Sequence, residues 1–442
     1  MEILKRKLSS FQIILLGFAG VILLGALILT LPISSKSHEW TSFIDALFTS
    51  TSAVCVTGLV VFDTATHWTI FGQIIILLLI QIGGMGVVTI AVSLAVASGK
   101  KIGLFSRETM KNAISAPNVS GIVRLTGFII KGIFLIEMIG ALIMLPVFCK
   151  DYGAEGIWMA VFHSVSAFCN AGFDIMGTKS GEFTSLTHYS AQPVINITIM
   201  LLIIVGGIGF LVWEDICKHK WRIREYRTQS KLVLIVTAVL IVFPAVYFFF
   251  FECGDLPVGE RILASLFQSV TPRTAGFNTV DPAAMTDGSK LLTLILMFIG
   301  GNPGSTAGGV KTTSAIALFL YVRSNIDRSY GINVFGRRLE EDAVKRAGAI
   351  CTINLTAALA ASILIMAIQP VGMADVLFET FSAIGTVGMT TGITRSLLPA
   401  SRIVIILLMY CGRIGSMSFA LAFTQQKRIT HVQNPVETVS IG

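Results

Sequence analysis

Phe162-His163-Ser164-Val165-Ser166-Ala167-Phe168-Cys169-Asn170-Ala171-Gly172 opens on phenylalanine, closes on glycine and lies between two long apolar runs. The same design is written three more times, as Phe48-Thr49-Ser50-Thr51-Ser52-Ala53-Val54-Cys55-Val56-Thr57-Gly58, Phe267-Gln268-Ser269-Val270-Thr271-Pro272-Arg273-Thr274-Ala275-Gly276 and Phe378-Glu379-Thr380-Phe381-Ser382-Ala383-Ile384-Gly385-Thr386-Val387-Gly388. The closing glycines recur at intervals of roughly 110 residues, so one unit has been repeated four times. Each stretch is too short to cross about 30 Å of hydrocarbon. Irregular backbone at membrane depth is tolerated only where protein or water surrounds it. A re-entrant half-helix followed by an extended loop meets both conditions, and four such loops imply a pseudo-fourfold ion path.

Composition agrees with a lipid solvent: 54% of the 442 residues are hydrophobic and 13% charged, about half the charged fraction of a soluble domain. Eight apolar runs can each supply the roughly 20 helical residues of a span. They lie near Phe11 to Leu31, Phe71 to Ala97, Ile122 to Phe148, Val194 to Val212, Leu232 to Phe251, Leu291 to Val322, Ala347 to Ile368 and Ile403 to Phe423. The expected fold is an all-α membrane protein of four helix–pore loop–helix repeats, with eight transmembrane helices and four re-entrant pore helices in pseudo-fourfold arrangement. The repeats are assigned to residues 1–98, 99–213, 214–322 and 323–424, the third with an intramembrane gate loop, and a cytoplasmic tail follows over 425–442.

Two thirds of the 33 Lys and Arg fall in Met1 to Ser10, Gly99 to Arg124, Glu214 to Lys231, Arg323 to Arg346 and Gln425 to Gly442. That bias places those stretches and both termini in the cytoplasm and lets all four loops enter from outside. The net charge of +8 then reflects topology and implies no nucleic-acid partner. Lys5-Arg6-Lys7 ahead of the first run suggests a secretory leader, but the run is long and no small-x-small site follows, so it reads as a retained span. Seven cysteines without a Cys-x-x-Cys pair argue against a disulfide framework or a zinc site.

Transport of a dehydrated monovalent cation needs oxygens that replace its water, and rings of main-chain carbonyls supply them in potassium channels. Val56-Thr57-Gly58 and Thr386-Val387-Gly388 look like shortened relatives of that filter, while Asn170-Ala171-Gly172 and Thr274-Ala275-Gly276 keep the glycine and lose the Thr-Val character. These twelve residues are the candidate potassium filter. Asp174, just beyond Gly172, is a candidate for added negative field.

A second glycine pattern follows each filter: Gly83-Gly84-Met85-Gly86, Gly206-Gly207-Ile208-Gly209, Gly300-Gly301-Asn302-Pro303-Gly304 and Gly412-Arg413-Ile414-Gly415. Small residues let helices pack closely, but Arg413 stands where the first two repeats carry Gly84 and Gly207. A fixed charge within a span faces a bundle interior or a water-filled cavity, so Arg413 is expected to be an electrostatic barrier under the filter. In repeat three, six glycines or prolines occupy the ten positions from Gly300 to Gly309, and no regular helix survives that density. Gly300, Gly301, Gly304, Ser305, Thr306, Gly308, Gly309 and Lys311 are therefore read as a movable gate loop. The Gly304 to Lys311 stretch misses the phosphate-loop spacing, since Val310 intervenes before the lysine. Glu137 in the third span is read as a helix-to-helix hydrogen-bonding group.

Thr271-Pro272-Arg273-Thr274-Ala275-Gly276-Phe277-Asn278, Asn170-Ala171-Gly172-Phe173-Asp174 and Gly304-Ser305-Thr306-Ala307-Gly308-Gly309-Val310-Lys311-Thr312-Thr313 together resemble the Trk/Ktr/HKT superfamily of potassium transporters over essentially the whole chain. A start directly at the first repeat is more similar to the membrane subunits of Ktr systems than to Trk chains. The resemblance implies sodium-dependent potassium uptake across a bacterial cell membrane by a homodimer with one pore per protomer. It also implies a cytosolic ring of nucleotide-binding, KtrA-like regulatory subunits. It assigns the filter to Gly58, Gly172, Gly276 and Gly388, the gate to Gly300 through Lys311, and the pore arginine to Arg413. Cys55 departs mildly from the pattern, standing where Thr is common. An organic-solute transporter would be expected to show two inverted halves, and an ATP-hydrolysing enzyme would need a soluble domain that these short loops do not supply.

Overall fold

The computed structural model describes residues 9–97, 103–114, 118–327 and 331–415. The basic triplet Lys5-Arg6-Lys7, the end of the last expected span up to Phe423 and the tail over 425–442 lie outside the described residues. Among the described residues, four uninterrupted helices are long and apolar enough to cross a membrane: α1 (Ser10–Thr30), α6 (Ile122–Tyr152), α10 (Thr228–Phe251) and α14 (Glu341–Ile368). Each opens a repeat and is followed by a shorter pore helix: α2 (Phe43–Val54), α7 (Glu155–Phe168), α11 (Val258–Val270) and α15 (Met373–Gly385). The pore helices start several residues before the phenylalanines at which the sequence reading opens them, and each first turn carries one acid, Asp45, Glu155, Glu260 or Asp375. Acidic side chains there favour the positive end of the helix dipole.

The second helices correct the expectation of continuous spans. In repeat one, α3 (Ile70–Met85) and α4 (Val87–Ala97) meet at 93°, and in repeat two α8 (Pro193–Ile208) and α9 (Phe210–His219) meet at 97°. The hinges are Gly86 at φ 84° and Gly209 at φ 102°, backbone angles that a residue with a side chain adopts only under strain. In repeat three α12 (Asp287–Phe298) gives way to an irregular segment before α13 (Thr312–Ile326), and in repeat four α16 (Pro399–Ile414) ends on Gly415 at φ 90°. Between α4 and α6 lies α5 (Leu104–Ile114). A small hairpin of β1 (Asn333–Val334) and β2 (Arg337–Arg338) between α13 and α14 adds the one sheet among the described residues to an otherwise helical chain.

The pore helices form the interior and the first helices the rim. Phe48, Phe162, Phe267 and Phe378 are all buried, whereas Leu24, Leu142, Phe243 and Ile363 on the first helices are exposed, as a lipid-facing surface requires. Lipid tails are as apolar as leucine, so helix association rests on close packing and on interhelical hydrogen bonds. One such bond recurs in every repeat. Ser50 donates to the Ile22 carbonyl at 2.7 Å, Ser164 to Glu137 O at 2.6 Å and Ser269 to Ile241 O at 2.6 Å, while Thr380 meets the Ser362 hydroxyl at 2.7 Å. In repeat three Pro244 lacks the N–H that would reach the Leu240 carbonyl, and Ser269 lies 3.3 Å from that oxygen as well.

Each second helix packs on the pore helix of the next repeat, and the ring closes where α16 meets α2. There Arg402 forms an ion pair with Asp45, with only 15% and 12% of the two side chains exposed. Removing one partner of a buried pair strands the other charge, at roughly 3 kcal/mol. Asp45→Asn is expected to lower the thermal unfolding temperature of the purified protein markedly, and Asp45→Leu with Arg402→Met to recover most of the loss. Equal unfolding temperatures for wild type and Asp45→Asn would refute a closing role for the pair.

Candidate ion pore

The four closing glycines converge. A methyl built on Gly58 would lie 3.2 Å from the Gly172 Cα, one on Gly172 3.0 Å from Gly276, one on Gly276 3.3 Å from Gly388, and one on Gly388 2.9 Å from Gly58. Each of those methyls would also press on a carbonyl oxygen of the following repeat, namely Ala171, Ala275, Val387 and Thr57 in turn. The main chains thus form a closed ring in chain order, too tight for any Cβ. All four glycines have positive φ, from 69° to 94°, and so do the residues two positions earlier: Val56, Asn170, Thr274 and Thr386, at 52° to 73°. The twelve residues singled out from the sequence therefore come together as four equivalent turns.

Hydroxyls fix these turns. Ser52 and Ser382 each accept a hydrogen bond from the glycine N–H of their own repeat at 3.0 Å, whereas Ser166 and Thr271 donate to the carbonyls of Phe173 and Phe277 at 2.7 and 2.6 Å. The sequence reading missed this set. Its signal was present as a Ser or Thr six residues before the glycine, five in the shorter repeat three. A second unforeseen set braces the loops beyond the glycines in two diagonally opposite repeats. The fully buried Glu379 carboxylate accepts from Thr390 at 2.7 Å and Thr394 at 2.5 Å, and His163 lies 3.5 Å from the Ile175 N–H. Asn170 joins repeats two and three, its amide 3.2 Å from the Thr274 hydroxyl, and the neighbouring carbonyls of Ala167 and Ile203 orient its nitrogen away from that hydroxyl.

A cavity of about 170 Å³ opens on one side of the ring, lined by all four glycines and by Asp63, Asp174 and Asp281. Asp174 accepts from the Met176 N–H at 3.2 Å, and Asp63 caps a helical turn at Ala65 and Thr66. The carbonyl ends of the four pore helices lead into the ring, adding negative potential to it. The hydroxyls of Thr57 and Thr386 are buried beside it with no protein partner among the described residues.

On the other side lies a cavity of about 280 Å³, lined by Gly84, Gly304, Ala307, Gly309, Lys311 and Arg413 among others. The irregular segment of repeat three sits between this space and the ring. A side chain on Gly308 would collide with Thr386, and the Thr306 hydroxyl donates to the Phe168 carbonyl at 3.2 Å. Gly300 N bonds Val310 O at 2.8 Å, Thr306 N bonds Gly206 O at 3.2 Å and Asn302 N bonds Gly207 O at 3.1 Å, so Gly300, Gly301, Gly304, Ser305, Thr306, Gly308 and Gly309 form one compact loop seated on the end of α8. Lys311 donates to the Ala307 carbonyl of its own loop at 2.7 Å. Arg413 instead crosses between repeats: its guanidinium donates to Thr306 O in the loop and to Gly83 O at 2.5 Å and Gly84 O at 3.3 Å at the end of α3. The expected tether of the loop by Lys311 stays within the loop itself, and the side chain that links the loop to another repeat is Arg413. Glu137 accepts from Gln81 at 3.2 Å, which links α6 to α3.

A family model described as "TrkH: Cation transport protein" matches residues 10–431. The chain is 38% identical to the potassium/sodium uptake protein NtpJ of Enterococcus hirae over 99% of its own length and 98% of that protein. It is 37% identical to the Ktr system potassium uptake protein B of Bacillus subtilis, over 97% and 96%. Its fold matches the crystal structure of the potassium transporter TrkH from Vibrio parahaemolyticus with a TM-score of 0.73 at 19% identity, covering 94% of this chain and 84% of that one.

Gly276→Ala must hold a side chain at φ 83° against the Val387 carbonyl, where the backbone angle alone costs about 1–2 kcal/mol. Cation flux into proteoliposomes is expected to fall at least ~10-fold, a drop that 1.4 kcal/mol suffices to produce; wild-type flux would mean the ring is not the path. Glu379→Ala releases Thr390 and Thr394 and is expected to narrow the preference for rubidium over sodium, read as a flux ratio. An unchanged ratio would remove Glu379 from the filter's support.

Proposed function

Because the chain belongs to the TrkH family of cation transport proteins, we propose that it forms a path for potassium uptake whose filter is the ring of Thr57, Ala171, Ala275 and Val387 carbonyls above a gate held by Arg413. The observation that carries this reading is the cyclic approach of the four glycines, because it sets four main chains around one axis. Potassium sheds water only where oxygens replace it. Carbonyls on four glycine-flanked turns, with the Thr57 and Thr386 hydroxyls beside them, offer such oxygens. Acidic side chains at the outer mouth raise the local cation concentration.

Beneath the filter the charge changes sign. For an ion about 8 Å from a fixed cation at an effective dielectric of ~20, repulsion is about 2 kcal/mol, which corresponds to roughly 30-fold in rate. In its present place Arg413 both repels an entering cation and ties the loop across the pore. Opening then consists of breaking the Arg413 bonds to Thr306, Gly83 and Gly84 and withdrawing the loop. The lever is α13, which starts directly after Lys311 and buries only Thr312 and Ala317, so it can shift with little repacking. Its far end leads to the β1–β2 hairpin, where a regulatory partner has access to it.

The finer assignments extend this reading. NtpJ carries sodium as well as potassium in its name, and Ktr names denote a system of several components; we extend both to this chain. Sodium dependence, a homodimer with one pore per protomer, a KtrA-like nucleotide-binding ring on the cytosolic face, and the four repeat boundaries given above are parts of the same proposal. In a bacterium deficient in potassium uptake, expression of the chain is expected to restore growth at low potassium, more strongly with sodium and with a regulatory ring supplied. Arg413→Ala is expected to raise rubidium flux severalfold and to weaken its dependence on that ring. Flux unchanged at every potassium concentration would sink the barrier role.

A further inference from the structure

We propose that the cleft between α6 and α9 binds one anionic phospholipid from the leaflet next to the basic loops. The cleft encloses about 650 Å³ and has a charged rim and an apolar floor. Its rim carries Arg124 from the first turn of α6, Lys218 from the last turn of α9, and Arg227. Arg227 is already engaged, donating to Glu214 at 2.7 Å and lying 3.5 Å from Asp215. Arg124 and Lys218 are exposed and have no carboxylate partner among the described residues. The one carboxylate of the rim, Glu214, belongs to the Arg227 pair, so the rim has positive charge to spare.

The floor identifies the class of ligand. Leu125 and Phe128 line it, and Phe128 lies one helical turn beyond Arg124 on the same face. That face continues outward through Leu135 and Leu142, at seven-residue steps, and these side chains are 36%, 52% and 59% exposed in order from Phe128. From Arg124 to Leu135 the helix rises about 16 Å, close to half of the roughly 30 Å hydrocarbon core. A cationic rim leading into an apolar face that reaches one leaflet's depth at Leu135 suits a molecule with a phosphate head and acyl tails. A soluble phosphate or an acidic peptide would use the rim and leave the apolar floor of Leu125 and Phe128 uncovered. Basic side chains at a membrane surface attract anionic lipids and leave zwitterionic ones largely unselected.

The full chain would be reconstituted in nanodiscs of phosphatidylglycerol and phosphatidylcholine, and retained lipid counted by native mass spectrometry. Wild type is expected to retain phosphatidylglycerol in preference to phosphatidylcholine. Loss of two surface cations corresponds to about 30-fold in affinity, so Arg124→Gln with Lys218→Gln is expected to lose the retained molecule. Arg124→Lys with Lys218→Arg keeps both charges and is expected to retain it, which separates binding from a folding defect. Equal retention by wild type and the glutamine pair overturns the proposal. So does loss in the charge-preserving pair, retention of phosphatidylcholine in equal measure, or displacement of the lipid by inorganic phosphate or by an acidic peptide.

Discussion

Four main chains approach one another so closely that no side chain fits between them, and the rest of the molecule is arranged to hold them there. Like-directed carbonyl dipoles repel, and Val56, Asn170, Thr274 and Thr386 take left-handed backbone angles that cost on the order of 1–3 kcal/mol each. Two of the four are threonines and one is valine, for which such angles are least favourable. The opposing contributions are local. Each turn carries a buried hydroxyl bond, worth roughly 1 kcal/mol net, and each pore helix buries a phenylalanine and is fastened to its own first helix through Ser50, Ser164, Ser269 or Thr380. Without those fastenings the carbonyls would relax toward ordinary turns and lose their common focus.

At the ring the four repeats are near copies, and on the side of the irregular loop they are not. Gly83, Gly206 and Gly412 each pack against a carbonyl at the end of their own pore helix, those of Val54, Phe168 and Ile384, whereas Gly300 packs on Gly308 of the loop. Symmetry suits an ion that must be stripped of water evenly from all sides. In the proposed path the loop and the charge that close it come from repeats three and four, which diverge at that depth. On the proposed reading, the bonds of Arg413 to repeats one and three hold the barrier, a handful of hydrogen bonds that a regulatory event can break.

The ring was legible because it depends on glycine, whose role at a positive φ is a property of the residue itself. The apolar first helices were legible for a similar reason, since about 20 uncharged residues admit few other readings. The right-angle bends at Gly86 and Gly209 were hidden by the same criterion: the residues on both sides are apolar, and hydropathy carries no information about direction. The starts of the pore helices were hidden because none of the four has a side-chain capping bond to mark it. Glu379 and His163 gave no signal as braces, because the atoms they hold lie in loops whose course depends on tertiary structure. Arg413 was found by comparing repeats with one another, and its bond to Thr306, 107 residues away, required the fold.

Four similar units can surround an axis in more than one order, and the seams between them remove that ambiguity. Repeat one meets repeat two through the Trp158 indole donating to Gln73 at 2.8 Å, and repeat two meets repeat three through the Ser190 hydroxyl on Glu260 at 2.7 Å. Repeat three meets repeat four through Phe298 against Phe381, with ring centroids 5.8 Å apart, and repeat four returns to repeat one through Arg402 and Asp45. Amide with indole, hydroxyl with carboxylate, ring with ring and cation with anion are not interchangeable. Exchanging neighbours would leave Asp45 buried against an apolar or uncharged face, a penalty of several kcal/mol. Specific partner choice of this kind works as much by what it rejects as by what it binds. The near-identity that focuses the carbonyls would by itself leave the order of repeats open, and unlike contacts at the seams restrict it to the order written in the chain.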